Sequence, residues 1–201
     1  MIFGFCLETK VNKKIRTEDM ELKTTRLRLR PILSSDLEAM HNLHSIPEVD
    51  YYNTLGIPKD LDHSIEVLAP LVAGWEQEVI EKYTFVIELL EANVFLGIAA
   101  LNLRVGKYNS GEIWYKLNPS FWNKGYATEA VKAILKFGFQ NLKLHRIEAG
   151  CAIENLGSVR VLEKIGMKRE GQKRKTLPLK KGWSDNYEYS ILEEEYESLN
   201  D

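Results

Sequence analysis

Apolar residues recur along this chain in two rhythms, and their alternation divides it into strands and helices. Leu27 and Leu29 alternate with Arg26, Arg28 and Arg30, so Leu22 to Leu29 reads as a half-buried strand ended by Pro31. Ser35-Asp36-Leu37-Glu38 matches a capping box, with a helix running on through Met40 and Leu43 to a stop at Pro47. Turn residues fill Glu48 to Leu61. A second helix is then predicted over Asp62 to Glu81, with Ile65, Leu68, Leu71, Val72 and Trp75 on one side and Pro70 and Gly74 as weak points.

The β-rich runs Thr84 to Leu90 and Val94 to Leu103 flank Glu91-Ala92-Asn93, a hairpin signature. Glu112 to Leu117 is a third run. After a turn on Pro119, Asn123 and Gly125, the apolar positions Val131, Ile134, Leu135 and Phe139 return to helical spacing. Leu144 to Ala152 is a strand, and Ser158 to Ile165 a helix closed by Gly166. Met167 to Arg174 and Tyr187 to Leu192 pair around a basic loop. The order β-α-α-β-β-β-α-β-α-β-β predicts one α+β or α/β sheet. Residues 1–19 read as an N-terminal extension and 20–201 as a single domain.

Composition changes this picture little. The chain has 201 residues, 44% of them apolar and 28% charged, with a formal net charge of −2. That balance makes no case for nucleic-acid binding. No apolar run is long enough for a membrane helix, and the apolar start at Met1 to Leu7 lacks a signal peptide's basic leader and cleavage site. Cys6 and Cys151 suit neither a disulfide framework nor a metal site, and fit reduced thiols in a cytoplasmic protein.

The informative stretch is Phe121-Trp122-Asn123-Lys124-Gly125-Tyr126-Ala127-Thr128-Glu129-Ala130, a tight turn opening into a helix. The first N–H groups of a helix have no intrahelical acceptors, and the macrodipole places partial positive charge there. Such an end suits a phosphate. Neither a Walker loop nor a three-glycine dinucleotide fingerprint is present.

The stretch resembles the acyl-CoA pyrophosphate loop of the GNAT N-acetyltransferase superfamily. Three further blocks follow in the family's order: Leu144-His145-Arg146-Ile147-Glu148-Ala149, Asn155-Leu156-Gly157-Ser158, and Glu163 through Gly171, with Glu112 to Tyr115 ahead of the loop. The likeness spans roughly Leu22 to Leu192 and is to the branch of ribosomal-protein N-terminal alanine and serine acetyltransferases. It departs at Asn123, where Trp-Gly-Lys-Gly is usual, and at Trp114, where the branch commonly has glycine.

The resemblance implies a mixed, mostly antiparallel sheet flanked by helices and splayed at the fourth strand, with Glu112 to Leu117 as the exposed edge. Acetyl-CoA would be the cosubstrate, with no metal. Its pyrophosphate would take N–H groups from Gly125, Tyr126, Ala127 and Thr128, with Lys124 and Arg160 near the phosphates and Asn155 on pantetheine. Ser158 would protonate the leaving thiolate, apart from a bland role at a helix start. Glu112 leads as general base, with Tyr115 behind it. An α-amine, near 7.7–8.0, demands less of a base than a lysine near 10.4.

The acceptor remains open between a protein N-terminus, a polyamine and an antibiotic amine. Tyr51, Tyr52, Trp75, Trp114 and the loop around Trp183 are its expected walls, a pattern that plain core packing fits equally. Oligomeric state is open, a homodimer included. The competing classes are a non-catalytic acyl-CoA-binding module and a nucleotide-phosphate enzyme.

Overall fold

A short turn breaks the first strand in two. Thr24 donates its N–H to Leu27 O at 2.9 Å, and its hydroxyl accepts the Leu27 N–H at 2.8 Å. The predicted run therefore becomes β1 (Leu22–Lys23) and β2 (Leu27–Pro31), paired antiparallel. The computed structural model describes residues 20–199 except Val105, so the expected N-terminal extension lies outside the described residues.

The remaining elements are α1 (Leu37–His44), α2 (Pro47–Asp50), α3 (Leu61–Ala73), β3 (Lys82–Leu89), β4 (Phe95–Arg104), β5 (Ser110–Leu117) and α4 (Tyr126–Lys136). They are followed by β6 (Arg146–Ala152), α5 (Leu156–Lys164), β7 (Lys168–Leu179), β8 (Gly182–Leu192) and α6 (Glu193–Ser198). Eight strands form one sheet in the order β1-β2-β3-β4-β5-β6-β8-β7, antiparallel except at β5–β6. The expected α+β architecture is correct.

Several local readings need correction. α1 is led in by a 3-10 turn over Ser34–Asp36 and not by a capping box at Ser35. The carboxylate of Asp36 accepts the Leu33 N–H at 2.8 Å and a fork from Arg30 at 2.7 and 2.8 Å. Pro47 opens α2 at a position where its missing N–H costs nothing. α3 is capped by Asp60 and ends at Ala73, well short of Glu81, because Gly74–Glu76 tightens into a 3-10 turn. The basic run Lys173-Arg174-Lys175 is not a loop but part of β7. β7 is an edge strand, where exposed charge discourages pairing with another chain.

One face of the sheet carries Phe85, Ala99 and Tyr115 in register, and Tyr83, Leu101 and Ile113 beside them. Ala130, Val131, Ile134 and Leu135 of α4 are buried, and α4 runs on into a π-turn over Phe137–Asn141. Phe137 packs edge-on to Tyr83 and Phe85, which fixes α4 to this first face. Full burial of a leucine, isoleucine or phenylalanine contributes roughly 1.5–3 kcal/mol. The opposite face is more polar. There Glu88 joins Arg28 and Arg30, each at 2.6 Å, and Arg30 reaches on to Asp36 beneath α1.

Candidate active site

The turn ahead of α4 is held by side chains that fold back on it. Asn118 Oδ1 accepts the Ser120 N–H at 3.0 Å, and Trp122 Nε1 donates to Leu117 O at 2.7 Å. Asn123 and Gly125 both adopt left-handed backbone, at φ 60° and 81°. Gly125 is required by that torsion and not by crowding, since an added Cβ meets only Arg26 Nη2, at 3.5 Å. Gly125 caps α4, and its carbonyl accepts from Glu129 N at 3.0 Å. Tyr126, Ala127 and Thr128 form the first helical turn, whose N–H groups have no intrahelical acceptor.

Lys124 bends back, with Nζ 2.9 Å from Ser120 O. Arg26, which sequence reasoning missed, clamps the loop. It donates from Nη1 to Lys124 O at 3.1 Å, pairs with Glu129 at 2.6 Å, and lies 4.5 Å above the Tyr126 ring. Burial pushes the Glu129 carboxyl up, but bonds from the Thr24 hydroxyl and from Arg26 outweigh it and leave the group below its ordinary value. The signal available in sequence was only the alternation of Arg26, Arg28 and Arg30 with leucines.

The sheet opens beside this loop. β5 and β6 pair only from Ser110 to Glu112 against Arg146 to Glu148, then separate. β5 remains paired with β4 out to Leu117, and β6 with β8 out to Ala152. Residues 113–117 therefore present a backbone edge to a gap. Because β1 is counted here, the splay falls at the fifth strand, which is the expected Glu112 to Leu117 segment.

Tyr115 and Ser158 meet across the gap, with their oxygens 2.8 Å apart. Burial pushes the Tyr115 phenol well up, and the bond to Ser158 offsets part of that. Asn155, not Ser158, is the N-cap of α5. Its Oδ1 accepts the Ser158 N–H at 3.1 Å and holds Ser158 in the first turn. Cys151 lies on the same side, and burial pushes its thiol up to about 11.

The far face of β5 carries Glu112, Trp114 and Lys116. Glu112 is exposed and sits level with Glu148, which is tied to Arg104 at 2.7 Å and Arg146 at 2.9 Å. Lys116 Nζ lies 3.3 Å from His44 Nε2 on α1. Neither Lys116 nor His44 was singled out from sequence. Tyr52 donates to Glu154 O at 2.9 Å, and Lys181 pairs with Glu154 beneath the rings of Tyr51 and Tyr52. Trp75 is not a wall of this compartment. It is buried against Tyr83 and Phe85 and donates to Thr84 O at 2.8 Å. Trp183 stands exposed on the hairpin, and Arg160 is exposed on α5.

The model of the acetyltransferase (GNAT) domain matches residues 26–168. The chain belongs to the GNAT acetyltransferase family. The uncharacterised N-acetyltransferase YnaD of Bacillus subtilis (strain 168) is 36% identical over 177 residues, 88% of this chain and 99% of that one. The crystal structure of a GNAT-family acetyltransferase from Bacillus anthracis superposes with a TM-score of 0.75 at 36% identity, covering 87% of this chain and 99% of its own. Mycobacterium smegmatis RimJ in complex with CoA-disulfide has a TM-score of 0.75 at 26% identity, over 84% and 83% of the two chains.

This GNAT enzyme is an acetyltransferase acting on an amine. Its residues suit acetyl-CoA as donor: the left-handed Gly125 opens three helix N–H groups to an anion, and the splayed β5 leaves backbone to pair with an extended chain. Among the described residues, no helix is long and apolar enough to cross a membrane, and no cluster of His, Cys, Asp and Glu is arranged to hold a metal ion.

Proposed function

We propose that this enzyme acetylates the α-amine of a protein N-terminus, using acetyl-CoA in a ternary complex with direct attack. Gly125, Tyr126, Ala127 and Thr128 receive the pyrophosphate through backbone N–H groups. Lys124 and Arg160 add positive charge near the phosphates once Lys124 swings off Ser120. Asn155 sits beside the pantetheine gap while it fixes Ser158. Tyr115 and Ser158, hydrogen-bonded to each other at 2.8 Å, deliver a proton to the departing thiolate.

The acceptor reading rests on the carboxylates of the far face. Glu148 is held by Arg104 and Arg146, Glu188 is 3.1 Å from Lys173, and Glu88 and Asp36 are held by arginines. Among the described residues Glu112 on β5 and Asp50 on α2 make no ion pair, and of these two Asp50 is buried and Glu112 exposed. One exposed, unpaired carboxylate suits one ammonium, whereas a polyamine calls for several. Glu112 thus serves as counter-charge to the incoming amine. Holding amine and thioester together supplies most of the acceleration, since well-oriented groups reach very high effective concentrations.

The test is acetyl-CoA with matched N-terminal peptides and with spermidine, followed by thiol release. Preference for the peptides, weakened in Glu112→Gln, supports the proposal. Preference for spermidine overturns its acceptor.

A further inference from the structure

Every primary amine that reaches this enzyme as an ammonium must lose a proton before it can attack. An ordinary glutamate titrates near 4.3, roughly 3.5 units below an α-ammonium, and takes that proton with difficulty. A stronger acceptor lies on the same face. Lys116 extends from the splayed half of β5, two residues beyond Trp114, toward the α1–α2 corner. Among the described residues it makes no ion pair, and its hydrogen-bond neighbour is a neutral-side imidazole, His44 Nε2 at 3.3 Å. Asp50 on α2 is 5% exposed, its Oδ1 has no hydrogen-bond partner, and its charge acts on Lys116.

We infer that Lys116, on the splayed half of β5 and in contact with His44, is the proton acceptor for the amine substrate. In the step, an ammonium N–H bond breaks and its proton passes to the Nζ lone pair. The freed amine forms an N–C bond to the thioester carbonyl as the C–S bond breaks. The thiolate takes a proton from the Tyr115–Ser158 pair, which recovers it from the attacking nitrogen. Lys116 then returns its proton to water.

The groups around Lys116 fit this role. β4 places the apolar Ile98 opposite it, α1 presents His44 with His41 one turn back, α2 presents Asp50, and β5 itself carries Glu112 on the same face. Burial lowers the Lys116 ammonium to about 8, with Asp50 opposing, so the amine form is accessible near neutral pH. Burial, with Lys116 and His41 adding repulsion, holds His44 down at about 4, too weak to take the proton itself.

The experiment measures the pH dependence of kcat at saturating amine, using the same unacetylated amine acceptor throughout so that its own ionisation is common to all variants. In parallel, Lys116 is titrated by NMR in lysine-labelled protein, the signal being assigned through Lys116→Met. The expected midpoint is about 8, and Asp50→Asn should move both it and the ascending limb of kcat to lower pH. Lys116→Met should lose the limb and about 100-fold or more in kcat. Lys116→Arg should be as impaired, because a guanidinium keeps its proton. Full activity in Lys116→Arg, an unchanged limb in Lys116→Met, or a Lys116 midpoint at the ordinary value near 10.4 overturns the inference.

Discussion

Tyr115 on β5 and Ser158 on α5 join the two limbs of a sheet that has come apart beneath them. Their oxygens are 2.8 Å apart, and burial keeps the phenol protonated. Because they act as one hydrogen-bonded unit, removing either should cost most of what removing both costs. Ser158→Ala and Tyr115→Phe are each expected to lower kcat by roughly 10–100-fold, with the double variant little worse. Affinity for CoA, measured by calorimetry, should change by no more than about threefold, since the pyrophosphate seat lies elsewhere.

Arg26 ties the β1–β2 turn to the Gly125 loop and to Glu129 in the first turn of α4. Arg26→Ala should raise the Kd for CoA several-fold while leaving kcat at saturation near wild type. Glu129 is held below its ordinary pKa, so its stabilising contribution is present above the unfolded value and is lost as pH falls through the folded one. The gap in Tm between wild type and Glu129→Gln is therefore expected at neutral pH and should close below about pH 4.

His44 gives the second pH signature. Its imidazole is held down at about 4 by burial first and by Lys116 and His41 next. Between the unfolded value near 6.5 and about 4, the unfolded chain takes a proton that the folded chain refuses, so stability falls as pH falls across that window. The slope from one such group is at most about 1.4 kcal/mol per pH unit. Denaturant melts of His44→Gln should show a shallower loss between pH 6.5 and 4 than wild type.

Gly97 lets β4 and β5 cross closely near the splay. A Cβ there would stand 2.1 Å from Lys116 O and 2.8 Å from Leu117 Cα, both backbone atoms with no freedom to rotate away. Gly97→Ala should destabilise the fold by about 2–3 kcal/mol in chemical denaturation, near the upper end for overpacking. Gly125→Ala, strained only in its torsion, should cost about 1–2 kcal/mol.

The periodic segments were legible in the sequence because local pattern decides them. β3, β4, β5 and α4 lie where alternation and helical spacing put them, and Gly125 opens α4 as the loop motif implied. Elements decided by a single side-chain bond were not legible. Thr24 splits the first strand, Asp36 replaces the Ser35 box, and α3 stops at Gly74 although the apolar spacing continues to Trp75. The site divides in the same way. The loop residues and Asn155–Ser158 are contiguous motifs, whereas Arg26 reaches the loop, and His44 on α1 and Asp50 on α2 reach Lys116, only through tertiary packing and carry no signal at fixed spacing. Trp75 shows the converse, an aromatic that suited a pocket wall and belongs to the core.

The measurement that bears most directly on this account is mass spectrometry of an N-terminal peptide library after incubation with acetyl-CoA, with spermidine in the same reaction. A mass gain of one acetyl group is expected at peptide α-amines, stoichiometric with free CoA thiol and strongly reduced in Ser158→Ala. Acetylation confined to spermidine, or thiol release that leaves every peptide α-amine unmodified, would contradict it.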